Sequence, residues 1–391
     1  MNVRLASAPV CGATLGGIRA AALCAFALGA TFAASPQAPS LRSAEPPAAA
    51  ADTPLGLAVL WRTSGRTIER GATGSAMNAY SPDGHYVAVY EALRVRVFET
   101  SSGKVVRDIA LDPSSVPPFS LAVSSGAKIA LGRMGNAEVL EQGRNSVRHW
   151  CVGACGTLAA VAFSPDDRFL AYQGTRGMPE WRAGLGGLMS VVDLRTGVPT
   201  HLEAVASIAQ VSFSADGRTL SAMNVSKLDD REAFGMRVWS TSDWHVTRSV
   251  LGSKRTMRRV AALGAESYAG VSMNEGNIEA RALADDRVLW SVPLIAPEVG
   301  GTENEGTATN LDLIEIAPNG KFVLSYEASS AYDATGLAKG TLVIRGAVDG
   351  AVEALYDVAR ISDLSIAPDG KTFTYSTAVG QTYTAVARVP F

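Results

Sequence analysis

A short strand–turn–strand motif recurs seven times along this chain, and a repeat of that kind constrains the fold more than any composition figure. Five copies are plain: AYSPDGHYVAVYE from Ala79, VAFSPDDRFLAYQ from Val161, VSFSADGRTLSAM from Val211, IEIAPNGKFVLSY from Ile314 and LSIAPDGKTFTYS from Leu364. Two weaker copies, LAVSSGAKIALGR from Leu121 and AALGAESYAGVSM from Ala261, fill the gaps. Anchored at residues 81, 124, 164, 214, 264, 317 and 367, the copies are 40–53 residues apart.

Each copy carries its own physical logic. An apolar run such as Val211-Ser212-Phe213 reads as a buried strand. Ser-Pro-Asp-Gly then makes a tight turn, because Pro presets φ, Asp bonds nearby backbone and Gly accepts a positive φ. A second apolar strand follows, then a third that ends in a polar turn, as in RVRVFETSSGK (94–104) and MRVWSTSD (236–243). A fourth strand completes the unit. No stretch after residue 33 has helical periodicity. Twenty-eight strands in one open sheet would leave long unpaired edges, so the expectation is all-β: a seven-bladed β-propeller of four-stranded antiparallel blades over 57–391. The last copy supplies only three strands before Phe391, so a strand from 56–73 is expected to complete the seventh blade and close the ring.

Residues 57–391 resemble the WD-repeat-like β-propellers of exported bacterial proteins, through the FSPDG-type turns quoted above. That resemblance implies the fold and says little about activity. Two departures stand out. No Trp-Asp dipeptide ends a third strand, where Val192-Asp193 and Trp239-Ser240 stand instead, and no Gly-His pair precedes a first strand. One segment, DDRVLWSVPL (285–294), also resembles a repeat of quinone-binding or Trp-docked propellers.

The amino terminus reads as a targeting segment. Residues 1–20 carry Arg4 and Arg19 and no acid, residues 20–33 form the apolar run AAALCAFALGATFA, and small residues at Thr31 and Ala33 suit cleavage after Ala33. The run is too short to span a bilayer unaided, so no transmembrane span is expected after cleavage. Residues 34–56 read as a Pro/Ala-rich linker. The expected location is periplasmic or secreted. Cysteine usage fits export: Cys11 and Cys24 leave with the signal, and Cys151 and Cys155 remain. In an oxidising compartment that pair points to a disulfide closing a tight loop, with free thiols as the alternative.

In this architecture the first–second and third–fourth turns share one face of the disc. The second–third turns and blade crossings share the other, and the length variation falls there: 112–119, 174–187, 226–235, 296–312 and 328–340. Long segments on a rigid scaffold are where binding concentrates. The candidate contacts are Glu180, Trp181 and Arg182, then Asp229, Asp230, Arg231 and Phe234, then Tyr332. Trp181 between opposite charges is the best anchor. The acids in these segments, with Glu232, Glu303 and Glu305, lack the spacing of a calcium loop, so they read as a solvated rim.

No catalytic constellation emerges. The four histidines, His85, His149, His201 and His245, belong to different blades, and no Gly-x-Ser-x-Gly elbow occurs. No metal site and no cofactor is predicted. Lys plus Arg is 35 against 37 for Asp plus Glu, which argues against a sequence-independent nucleic-acid binder. The leading expectation is a non-catalytic module that binds a protein or peptide partner through its loop-rich face. The alternative is a propeller hydrolase or lactonase with a divalent metal near the central channel.

Overall fold

The computed structural model describes residues 56–391 apart from 64–65, 69–75, 92, 113–116, 134–136, 141–146, 151–159, 175–187, 203–207, 229–230, 252–256, 264–266, 273–276, 283–284, 286, 296–310, 333–337, 360 and 378–379. Among these residues there is no helix, and the strands form seven four-stranded antiparallel sheets. None of the described residues forms a helix long and apolar enough to cross a membrane.

Blade 1 runs Met77–Tyr80, Tyr86–Glu91, Arg94–Glu99 and Val105–Ala110, from axis to rim. The innermost strands of blades 2 to 7 are Ser120–Val123, Ala160–Phe163, Ile208–Phe213, Met257–Leu263, Leu311–Ile316 and Ile361–Ile366. Each packs on the innermost strand of the next blade, and Ile361–Ile366 returns to pack on Met77–Tyr80. That closed cycle is the ring. Burial follows it: Tyr86–Glu91 is buried along its middle, whereas the rim strand Val105–Ala110 is mostly exposed. Second strands such as Tyr86–Glu91 and Ile129–Gly132 carry apolar residues at successive positions because a neighbouring blade covers each of their faces. Apolar clusters fill the gaps between blades, for example Ala88, Val95, Ile129 and Leu131 between blades 1 and 2.

The seventh blade is closed from the amino terminus, as the missing fourth strand required. Ile361–Ile366, Thr372–Thr377 and Thr384–Arg388 are its first three strands, and Val59–Arg62 is the fourth. Val59 pairs with Ala387 and Arg62 with Ala385, across a bulge between Val59 and Trp61. A short strand beyond it, Arg66–Ile68, pairs with Gly380–Thr382.

Among the described residues, repeated chemistry makes tight turns on one face. In blade 1, Gly84 N donates to Ser81 O at 2.8 Å, Ser81 Oγ donates to Asp83 Oδ1 at 2.6 Å, and Gly84 takes φ +75°. The Ser–Asp contact recurs at Ser164–Asp166 and Ser214–Asp216. The Ser214 hydroxyl, a stronger influence than the Arg218 amide, holds Asp216 below the usual carboxylate range.

Blade 2 breaks this pattern and its neighbour repairs it. Its turn is Ser124-Ser125-Gly126-Ala127, with no acid at the third position. Blade 3 has Asp167, at φ +56°, where Gly84, Gly217, Gly320 and Gly370 stand in other copies. The Asp167 carboxylate accepts from Ser124 Oγ at 2.9 Å, Ser125 N at 2.9 Å and Gly126 N at 2.7 Å. The acid lost from one copy is supplied by the next. Replacing Asp167 by Ala takes this acceptor from Ser124 Oγ and Ser125 N, while Gly126 N keeps Ser124 Oγ at 3.1 Å, and the expected loss is about 1–3 kcal/mol in a urea titration. A neutral outcome would mean that solvent satisfies the blade 2 turn equally well.

Two tryptophans bind one blade to the next. Trp61 Nε1 donates to Thr100 O at 2.7 Å, and Trp290 Nε1 donates to Ala347 O at 2.8 Å. Each indole lies on the glycine of the neighbouring blade's third–fourth turn. A Cβ at Gly103 would sit 2.7 Å from Trp61, and one at Gly350 would sit 2.7 Å from Trp290. The docked tryptophan suggested by 285–294 is therefore not peculiar to that segment, because a glycine-backed indole recurs at Trp61.

Candidate functional site

The face opposite the tight turns carries long hairpins. In blade 1 the second and third strands pair over six positions, from Tyr86↔Glu99 to Glu91↔Arg94. In blade 4, Thr219–Leu228 and Arg231–Ser240 pair over ten, from Thr219↔Ser240 to Leu228↔Arg231. Four added pairs at about 3.4 Å per residue carry that hairpin roughly 14 Å further. In blade 6, Phe322–Tyr332 pairs with Ala338–Gly346 and crosses a bulge between Ala328 and Tyr332.

This corrects the expectation that 226–235 and 328–340 are loops: most of both segments is strand. A hairpin that outruns its blade is under no demand to bury one face. Its sequence then keeps no apolar alternation, and SKLDDREAFG reads as a loop for that reason. Arg231 lies opposite Leu228, Phe234 opposite Val225 and Tyr332 opposite Ala338. Glu180, Trp181, Arg182, Asp229 and Asp230 lie outside the described residues, as do Cys151 and Cys155.

A second polar assembly has no counterpart in the sequence reading. Where blade 7 meets blade 1, Asn78 is buried. Its Oδ1 accepts from Ser365 Oγ at 2.7 Å and from Thr374 Oγ1, and its Nδ2 donates to Ser376 Oγ at 3.0 Å. Ser376 contacts Thr384 at 2.7 Å, and Thr384 N donates to Thr63 Oγ1 at 3.0 Å. The network thus runs from the amino-terminal strand across blade 7 into blade 1. Asp363 Oδ2 accepts from Asn78 N at 2.5 Å. Burial pushes the Asp363 carboxyl up to about 7, against the lowering effect of the Asn78 and Leu364 amides. On the adjacent innermost strand, burial and then the charge of Asp363 push Glu315 up to about 8. The signal was legible in part, since Glu315 and Asp363 are acids on the innermost strands of a packed ring.

On the tight-turn face, a cleft of about 680 Å³ opens where Val59–Arg62 lies beside the carboxyl-terminal residues, lined by Leu60, His85, Thr100, Lys371, Arg388 and Phe391 among others. Its charges are largely compensated on the spot: Lys371 Nζ is 3.4 Å from Asp369, and His85 Nδ1 is 3.4 Å from Asp83.

Catalytic groupings are sparse. Among the described residues no three His, Cys, Asp or Glu side chains gather as metal ligands. Ser190 Oγ lies 3.0 Å from His201 Nδ1 in blade 3. The two are cross-strand partners, and Ser190 is only 2% exposed, so no substrate carbonyl reaches its oxygen.

No protein-family model matches the chain, and no curated protein matches it. Among solved structures 1258 chains match, so the likeness is to a widespread architecture. One is a chain of hydrazine synthase from Kuenenia stuttgartiensis, with a TM-score of 0.57 and 15% identity over 84% of this chain and 99% of that one. At that identity what the two share is the fold, and the conclusion it supports is architectural: the chain is a seven-bladed β-propeller.

Proposed function

We propose that this protein is an exported, non-catalytic recognition module that takes a protein or peptide segment on the face bearing the second–third hairpins of blades 4 and 6. The observation that carries the reading is the asymmetry between faces. Tight, internally bonded turns trim one face, and the extended hairpins stand on the other. A rigid ring with projecting strands offers exposed backbone edges and alternate side chains to an extended segment. Kinship with the exported WD-repeat-like propellers belongs to the same reading, as does a periplasmic or secreted location after cleavage behind Ala33.

The test is a hairpin exchange. Residues 225–234 are replaced by Asn-Gly, which joins the paired Asn224 and Gly235 by a two-residue turn. The expected result is an unchanged circular dichroism spectrum and melting temperature. Affinity for the partner captured from envelope extract should fall by at least about tenfold, equivalent to roughly 1.4 kcal/mol. Undiminished capture by the trimmed protein would reject this face as the binding face. Mass spectrometry of the exported protein should find a mature chain beginning at Ala34; a product retaining residues 1–33 would reject cleavage.

A further inference from the structure

The ring is closed without a covalent link at one place, where Val59–Arg62 joins blade 7 from the far end of the chain. The inner part of that seam is polar. Asn78, Ser365, Thr374, Ser376, Thr384 and Thr63 form one chain of contacts, and the carboxylate of Asp363 binds the Asn78 amide of the opposing blade. The outer part of the same seam is apolar, where Trp61 and Val386 pack on Val87, Val89 and Phe98, and other blades meet through apolar clusters as well.

We propose that Asp363 and Glu315 make this seam a proton-operated latch, closed tightly when the pair holds a proton and loosened when both carboxyls are ionised. Three strands pack against Ile361–Ile366. Among described side chains the titratable groups they bring are Tyr375 from Thr372–Thr377, Tyr80 from Met77–Tyr80 and Glu315 from Leu311–Ile316. Tyr80 and Tyr375 are both raised, chiefly by burial, and stay neutral. On the far side of Glu315, the strand Phe322–Tyr332 brings Tyr326 and Glu327, and Glu327 is paired with Arg345. Met257–Leu263 and Ser267–Ser272 also pack on the Glu315 strand, and their sequences carry Arg258, Arg259 and Tyr268. Neither Asp363 nor Glu315 makes an ion pair with a described cation. Two carboxylates with no described cation beside them ionise at the cost of mutual repulsion and lost hydration, and they titrate as a coupled pair.

The sign follows directly. Both carboxyls titrate higher in the folded ring than in an unfolded chain, where they sit near 4. The folded ring therefore binds more protons than the unfolded chain from about pH 4 up to its own titration near 7 to 8. Closure is fully supported at acid pH and weakens as pH rises, until both carboxyls are ionised in the ring. The device acts at the closing seam, so opening is local before it is global.

Hydrogen exchange read by mass spectrometry tests this on the full chain, with rates corrected for intrinsic pH dependence. Between pH 5.5 and pH 8.5, protection of 59–62 and 77–80 should fall at least about tenfold relative to Leu188–Asp193 in blade 3, since a carboxyl that titrates one pH step higher when the seam is closed favours closure tenfold less once ionised. Asp363→Asn keeps an acceptor for the Asn78 amide and should shrink that change to less than about half, leaving only the part that burial of Glu315 contributes. Glu315→Gln removes the neighbouring charge and should move the midpoint to lower pH. If Asp363→Asn fails to fold, the Glu315→Gln midpoint decides alone. A wild-type seam with constant relative protection, the result expected if Arg258 or Arg259 neutralises the pair, would overturn the latch. So would a midpoint that Glu315→Gln leaves in place.

Discussion

Arg345→Met is expected to cost about 3–5 kcal/mol of stability, the penalty for leaving a buried charge without its partner. Arg345 Nη2 lies 2.9 Å from Glu327 Oε1, and the two side chains are 2% and 1% exposed. Glu327 also accepts from Ser325 Oγ at 3.0 Å and from the amide of Ile295, the residue after Leu294 at the end of blade 5. Arg345 reaches back to Pro293 O at 3.3 Å. The pair therefore ties blade 6 to the chain leaving blade 5, beside the cluster of Ile314, Ile316, Val323 and Trp290. Without the guanidinium, two neutral donors are left to hold an ionised carboxylate in that setting. The double variant Glu327→Leu/Arg345→Met removes both charges and should recover most of the loss, because apolar replacement of a buried pair is often close to neutral. Urea unfolding at pH 7 measures both. A single variant no less stable than the double would mean that Ser325 and the Ile295 amide suffice to carry the charge.

Turns are local, and Ser81-Pro82-Asp83-Gly84 states its geometry in four adjacent residues. Five plain statements of this kind and two weaker ones, 40–53 residues apart, are enough to predict the ring, its count and its closing strand. What escapes depends on residues that meet only when the ring exists. Asp167 looks like a spoiled glycine position until it is set beside Ser124, 43 residues earlier. Trp61 reads as an ordinary apolar residue of a strand, because its partner Gly103 belongs to another blade. Asp363 and Glu315 can be singled out as misplaced acids, but their proximity follows from neighbouring blades and not from sequence order. The hairpins of blades 4 and 6 fail in the opposite direction. Period-2 patterning reports burial of one face, and a strand that runs past its blade is under no pressure to carry it.

Trp61→Ala should release the closing strand, and its effect should differ in kind from that of Trp290→Ala. Both indoles make the same contacts, a hydrogen bond to a third–fourth turn carbonyl and a face packed on a glycine held at positive φ. Trp61 adds Phe98 at a centroid distance of 5.0 Å. Truncating either indole is expected to cost about 3–5 kcal/mol. The difference lies in connectivity. Val288–Pro293, which carries Trp290, continues directly from the third strand of its own blade, so a lost contact leaves it tethered. Val59–Arg62 reaches blade 7 from the other end of the chain and is held by pairing with Thr384–Arg388, by the Thr63–Thr384 bonds and the short Arg66–Ile68 pairing beyond it, and by Trp61 itself. Losing the indole removes much of what opposes detachment of a four-residue strand. Limited trypsin digestion at 25 °C should therefore cut Trp61→Ala at Arg62 at least about tenfold faster than the parent, the factor that about 1.4 kcal/mol of local opening yields. Trp290→Ala should leave cleavage at Arg62 within about twofold of the parent, because contacts this distant are close to independent. Equal acceleration at Arg62 in both variants would mean that the ring yields as a whole, and that the amino-terminal strand is not its separable point of opening.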